Sequence, residues 1–262
     1  MTIKMWKKQK APDGSLGSKG SMPLLEHLAE LRRRLVISAV AVTVLAIASY
    51  GFYGHMLAFL LHPLCIAEPK NQCKLYVTSP LDGFALRIKV AGYAGLFFAS
   101  PVVLLQIWRF IAPGLKNSER KYSLIFVSSS ISLFTLGGFV AYTAFPHALQ
   151  FLQGAAGTYV HPIYTPQSYL NLLLALMAAF GAAFEFPVVL ISLELLGAVT
   201  PKKLAQSRRW AIVIIFAVAA VFIPSSDPFS LFALALPLIF FYEISILIGR
   251  LVLRRRASPS TS

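Results

Sequence analysis

The sequence predicts an all-α polytopic membrane protein of six transmembrane helices with both termini in the cytoplasm. Three observations carry that expectation. Apolar residues make up 57% of the 262-residue chain, against about 45–50% in a soluble domain. Long apolar runs recur along it, and six helices of about 20 residues each would take nearly half its length, leaving short loops and no room for a separate globular domain. The basic residues fall on alternate loops, the signature of membrane orientation.

Apolar runs of adequate length place helices near 35–54, 88–111, 123–145, 169–196, 210–223 and 229–249. The first 21 residues are rich in Lys, Gly and Ser and contain no apolar core of signal-peptide length, so they read as a disordered basic tail. The patterned sequence starts at Met22, which could itself serve as a start. It continues to about residue 250, and a second basic tail follows over 251–262. Pro101, Pro187 and Pro237 each remove a helix hydrogen bond and invite a bend. The fifth run, at about 14 residues, covers about 21 Å of a hydrocarbon core about 30 Å thick. Either polar flanks enter the membrane there or the bilayer thins.

A formal charge of +14 would raise nucleic acid as a partner if the bases formed one patch. They do not. Twenty of the 24 Lys and Arg residues lie in the N-terminal segment through Arg34, the 109–122 and 197–209 turns and the C-terminal tail. The opposite loops hold Lys70 and Lys74, with Arg87 and Lys89 at a helix entrance. The rule that bases stay inside makes the termini and the two basic turns cytoplasmic. Cys65 and Cys73 then share the external loop between Gly54 and Arg87. That side permits a disulfide, and Pro69 and Asn71 favour a turn between them; two unpaired thiols are the other reading.

Enzymatic machinery is not legible. The chain contains no G-x-x-x-x-G-K-[ST], H-E-x-x-H, G-x-S-x-G or C-x-x-C, its five histidines have no ligand-like spacing, and no cofactor or metal is expected. Energy for work must come from a partner, a bound substrate or the membrane potential.

The ten carboxylates are the informative minority. Glu26 and Glu30 lie four apart on an expected amphipathic helix, Pro23–Arg34, and so share a face at the cytoplasmic surface. Glu119 follows a Pro-Gly-Leu turn in the next cytoplasmic loop. On spacing alone these groups could simply pair with Arg33, Arg34, Arg120 or Lys121 on a solvated face, worth about 0–1 kcal/mol each. Glu185 falls within the fourth run and Glu243 in the inner part of the sixth, where an ionisable group is costly and points to a functional or interhelical role. A hydrogen-bonded structural role beside Pro187 is the alternative for Glu185. Glu194, near a cytoplasmic helix end, reads as ordinary interface.

Several stretches, in order, resemble one family: MPLLEHLAELRRRL at 22–35, SPLDGF at 79–84, SPVVLLQIWRFIAPGLKNSER at 100–120, FGAAFEFPVVL at 180–190 and LALPLIFFYE at 234–243. They are similar to TatC, the polytopic subunit of the twin-arginine protein translocase of the bacterial cytoplasmic membrane. The resemblance implies a receptor for signal peptides with consecutive arginines. With small single-span partners of the TatA and TatB type, in a multi-copy complex, such a receptor supports proton-motive-force-driven passage of folded cargo.

The same resemblance assigns signal-peptide binding to Glu30 and Glu119, with Leu31, Arg32, Arg34, Phe110, Pro113 and Arg120 shaping the recognition surface. The guanidinium fork matches a carboxylate bidentately, so two held carboxylates can demand two arginines over lysines. The surrounding bases repel cations of the wrong geometry and hold the N-terminal helix to anionic lipid headgroups. Pro63 and Pro80 would shape an external cap. Glu185 matches the family's intramembrane Glu, facing a concave interior; Asp227 and Glu243 are partner-contact candidates. Asp227 is kept in IPSSDPFSL (223–231), but Pro224 and Leu231 replace the Thr and Gln usual there. A proton-coupled small-solute transporter using Glu185 and Glu243 is the competing class; the internal repeat common in such transporters is missing.

Overall fold

The computed structural model describes residues 24–67, 75–111, 123–157, 163–223 and 227–257. Nine helices form among them, in chain order α1 (Leu24–Gly51), α2 (Tyr53–Ala67), α3 (Asp82–Ile111), α4 (Ser123–Ala156), α5 (Pro166–Phe184), α6 (Phe186–Leu195), α7 (Pro201–Gln206), α8 (Arg208–Phe222) and α9 (Pro228–Ala257). Five spans are long and apolar enough to cross a membrane: Leu28–Gly51, Asp82–Phe110, Leu124–Ala155, Pro166–Leu195 (α5 with α6) and Pro228–Leu251. The run expected as the fifth span is α8, whose 15 residues rise only about 22 Å.

Two local expectations differ from what forms. Of the amphipathic segment expected over 23–34, residues 24–34 are not a separate surface helix but the first turns of α1, because neither Gly nor Pro interrupts the chain between Leu24 and Gly51. The first part of the expected external loop is α2, which buries Leu60, Pro63, Leu64 and Ala67.

Pro63 within α2 cannot donate to the carbonyl four residues back, that of Phe59. The Tyr142 hydroxyl of α4 donates to that oxygen at 2.8 Å, and the Phe59 and Tyr142 rings stack at 4.5 Å. Beside it, the buried Tyr169 hydroxyl donates to Leu60 O at 2.8 Å. Two tyrosines thus seat α2 on the bundle, one of them answering the carbonyl that a proline leaves unmatched. At the same end Arg87 lies over the Tyr50 and Tyr53 rings at 4.7 and 5.2 Å, where cation–π contact accommodates a base next to hydrocarbon.

In lipid, apolar burial does not drive helices together, so backbones must approach closely. A Cβ on Gly95 of α3 would lie 2.6 Å from Ala46 Cα of α1, and one on Gly137 of α4 would lie 2.5 Å from Phe180 O of α5. The main core surrounds the second contact, with Phe145, Tyr169, Phe180 and Phe184 almost fully buried. The outer faces remain apolar: Leu35 and Ile47 of α1 and Val221 of α8 are among the most exposed side chains. Lipid is the solvent that such faces require.

Gly95→Leu should force α1 from α3 and lower stability by about 1–3 kcal/mol, read as an earlier thermal transition in detergent. Gly92→Ala, with nothing within 4 Å of the added atom, should leave the transition unchanged. Equal behaviour of the two variants would refute the close-approach account.

Candidate functional site

The N-terminus of α1 and the C-terminus of α3 come to the same end of the bundle. From the Ala46–Gly95 contact, sixteen residues back along α1 reach Glu30 and sixteen on along α3 reach Ile111. At about 1.5 Å per residue in both helices, the two positions lie at about the same level. Phe110 is the half-buried residue before Ile111. Glu30 is therefore held at the point where the chain enters the connection that contains Pro113, Glu119 and Arg120. Those three lie outside the described residues.

Glu30 is engaged within its own helix. Arg34, one turn on, donates through Nε at 3.0 Å and also through its second guanidinium nitrogen to Glu30 Oε1. Both side chains are about a fifth exposed, 24% for Glu30 and 18% for Arg34. A pair at this spacing within one helix is worth about 0.2–0.5 kcal/mol, so it orders the carboxylate without locking it. Leu31 and Arg32 beside it are exposed.

Glu185 occupies the one break in the fourth span. Pro187 lacks an N–H, so the helix ends at Phe184 and restarts at Phe186, with Glu185 N donating to Ala182 O at 3.2 Å across the join. Its carboxyl lies on the side of Ser130 of α4, and its buried Oε1 has no hydrogen-bond partner. Ser130 lies seven residues into α4, about 10 Å from the start of that helix. Ser130 in turn accepts from Trp108 Nε1 of α3 at 3.0 Å. Trp108, Val127 and Val188 form a small separate core around this contact. Sequence reasoning missed both Trp108 and Ser130; an indole one turn before a basic loop was the available signal.

Other carboxylates serve the frame. Glu243 accepts from Arg208 at 2.8 Å, joining α9 to the start of α8, with both side chains about half exposed. Asp227 is buried, and its Oδ1 accepts from Ser230 N at 2.6 Å; preceding Pro228, it caps α9. Glu194 is not the ordinary interface expected of it. It is 3% exposed, neither carboxyl oxygen has a partner, and any Cβ at Gly249 of α9 would overlap it. Cys65 is half-buried on α2, no cysteine among the described residues is free, and Cys73 lies outside them.

Away from these groups, an apolar hollow of about 730 Å³ opens between α1, α2, α3, α4 and α5, lined by residues including Tyr93, Phe97, Phe134 and Met177. Gly181, one turn before Glu185, packs against the Phe134 ring that forms part of its wall. Among the described residues, no three His, Cys, Asp or Glu side chains gather as a metal site.

Five long apolar spans, sparse intramembrane carboxylates and a basic end define a multi-pass helical membrane protein. Comparison with known proteins narrows this class. Residues 26–237 match the family described as Sec-independent protein translocase protein (TatC). Relatives of that name include one from Magnetococcus marinus, 41% identical over 92% of this chain and 88% of its own. Another, from Aquifex aeolicus, is 38% identical over 90% of this chain and 98% of its own. A crystal structure titled as the twin-arginine translocase receptor TatC superposes with a TM-score of 0.72 at 37% identity, covering 86% of this chain and 98% of that one. The chain belongs to the TatC family: it is a non-enzymatic subunit of the bacterial Sec-independent translocase. Membership disposes of the small-solute transporter reading.

Proposed function

We propose that the chain is the receptor of this translocase, binding twin-arginine signal peptides through Glu30 and Glu119. The observation that carries the reading is the placement of Glu30 at the mouth of the 112–122 connection, held by Arg34 in a weak pair. An arginine of the peptide can displace Arg34, because a bidentate pair to a held carboxylate exceeds a one-turn pair within a helix. Arg32, Arg34 and Arg120 discourage single cations of other shapes, while Leu31, Phe110 and Pro113 give apolar edges to the surface.

The orientation that goes with this reading puts both termini and the basic turns in the cytoplasm, with α8 as a sixth, short crossing. The apolar hollow then suits the apolar part of a signal peptide, with Glu185 one turn beyond its wall. Glu243 and the α9 cap set by Asp227 face the thin region beside α8, where TatA- and TatB-type helices would join a multi-copy complex driven by the proton-motive force. Cys65 and Cys73 are paired on the oxidising side.

Glu30→Ala and Glu119→Ala should each lower photocrosslinking to an Arg-Arg signal peptide by about tenfold, as loss of a charge-assisted pair requires, with membrane levels unchanged. Parental crosslinking in both variants would defeat the assignment. The cysteine pairing is checked by alkylation and mass measurement: two labels are expected only after reduction, and two labels without reductant would refute it.

A further inference from the structure

Lys89 is a cation within a membrane span, near the end of α3 opposite Phe110. It stands seven residues after Asp82, about 10 Å into the helix. Among the described residues no carboxylate pairs with it. Asp82 is the only acid of α3, and it is spent as a cap, accepting from Thr78 N, Thr78 Oγ1 and Ser79 N at 3.2, 3.1 and 2.9 Å. Lys89 Nζ donates to Asn171 Oδ1 of α5 at 2.6 Å. That bond draws the side chain towards α5 and leaves two of its three N–H groups. One turn before Asn171, Gln167 has its Oε1 buried without a hydrogen-bond partner.

Lys89 and Gln167 line one groove of about 660 Å³, whose floor is a face of α3 from Phe84 through Gly92 to Leu96 and which reaches Val42 of α1. From Phe84 to Leu96 is about 18 Å of helix, against about 15 Å for half of a hydrocarbon core. Phe84, Ile88 and Leu96 are 63%, 51% and 43% exposed, so the floor is apolar and open along its length. A Cβ on Gly92 would meet nothing within 4 Å; the middle of the floor is bare backbone. A hydrocarbon chain gains little by leaving lipid for such a surface, so the polar end decides the occupant. It asks for an anion at Lys89 and a donor at Gln167 Oε1. We propose that the groove binds one phosphatidylglycerol, its phosphate on Lys89, a headgroup hydroxyl donating to Gln167 Oε1 and an acyl chain laid along α3 over Gly92. A choline headgroup has no donor for Gln167. An ethanolamine headgroup has one, but its own cation leaves the charge of Lys89 unbalanced.

The test is native mass spectrometry of the full chain in detergent, offered equal amounts of phosphatidylglycerol, phosphatidylethanolamine and phosphatidylcholine with the same acyl chains. The parental chain should retain one phosphatidylglycerol, preferred about tenfold over either zwitterionic lipid, as a charge-assisted bond requires. Lys89→Gln should abolish that preference, and Gln167→Ala should lower phosphatidylglycerol retention about fivefold. Gly92→Phe, which fills the floor, should abolish retention of the lipid. Arg87→Gln removes a charge of the same sign at the same end, held over Tyr50 and Tyr53, and should leave retention within about twofold of the parent, because an exposed charge outside the groove contributes little. Equal retention of the three lipids by the parental chain, an undiminished preference in Lys89→Gln, or parental retention by Gly92→Phe would overturn the inference. A loss in Arg87→Gln equal to that in Lys89→Gln would assign the effect to general surface charge and overturn it as well. If Lys89→Gln does not accumulate, the lipid competition on the parental chain and Gly92→Phe decide alone.

Discussion

Hydrocarbon offers no hydrogen-bond partner, and every backbone amide and carbonyl within it must be answered by the protein itself. Helices follow from that constraint, and so do the places where they are interrupted. Pro63 leaves the Phe59 carbonyl without its helical donor, and Tyr142 supplies one from α4. Pro187 ends the first half of the fourth span, and the break is where Glu185 lies. The bundle also needs a source of cohesion besides apolar burial. It finds one in bare backbone contacts at Gly95 and Gly137, where a methyl group would not fit. A chain with so few polar groups in its spans then reveals its chemistry through the exceptions.

Those exceptions differ in how they are held. Glu30 has a weak partner one turn away and is open to exchange. Glu185 stands at a helix break with its Oε1 buried and without a hydrogen-bond partner. Glu194 has none among the described residues and is enclosed by α9 at Gly249. The three differ in burial, Glu30 and Glu185 partly exposed and Glu194 enclosed. Under the proposed function, Glu30 is the group that trades one arginine for another.

Much of this was legible in the sequence, for physical reasons. Apolar runs long enough for lipid are hard to mistake, and five of them became spans close to the expected positions. Charge alternation suggested an orientation, and Glu185 stood out because ionisable groups are rare at such depth. Continuity of α1 was underread, since the change from charged to apolar residues at Leu35 resembles a boundary although no residue breaks the helix. The α2 helix was hidden by Pro63, which signals a loop unless a distant tyrosine answers the freed carbonyl. The Trp108–Ser130 contact was not legible because a serine among apolar residues gives no hint of its partner, although the indole beside a basic loop gave a signal of its own. The roles of Glu30 and Glu119 came from family resemblance rather than spacing, which allowed an ordinary solvated pair equally well.

The central claim is that the basic end of this bundle reads paired arginines on the cytoplasmic side. Its most direct test is complementation in a bacterium that lacks its own TatC and retains TatA and TatB partners. This chain should restore export of a folded cargo whose signal carries Arg-Arg, and should leave the same cargo in the cytoplasm when the pair is Lys-Lys. Cytoplasmic retention of the Arg-Arg cargo with the chain stably in the membrane, or equal export of both cargoes, would contradict the account.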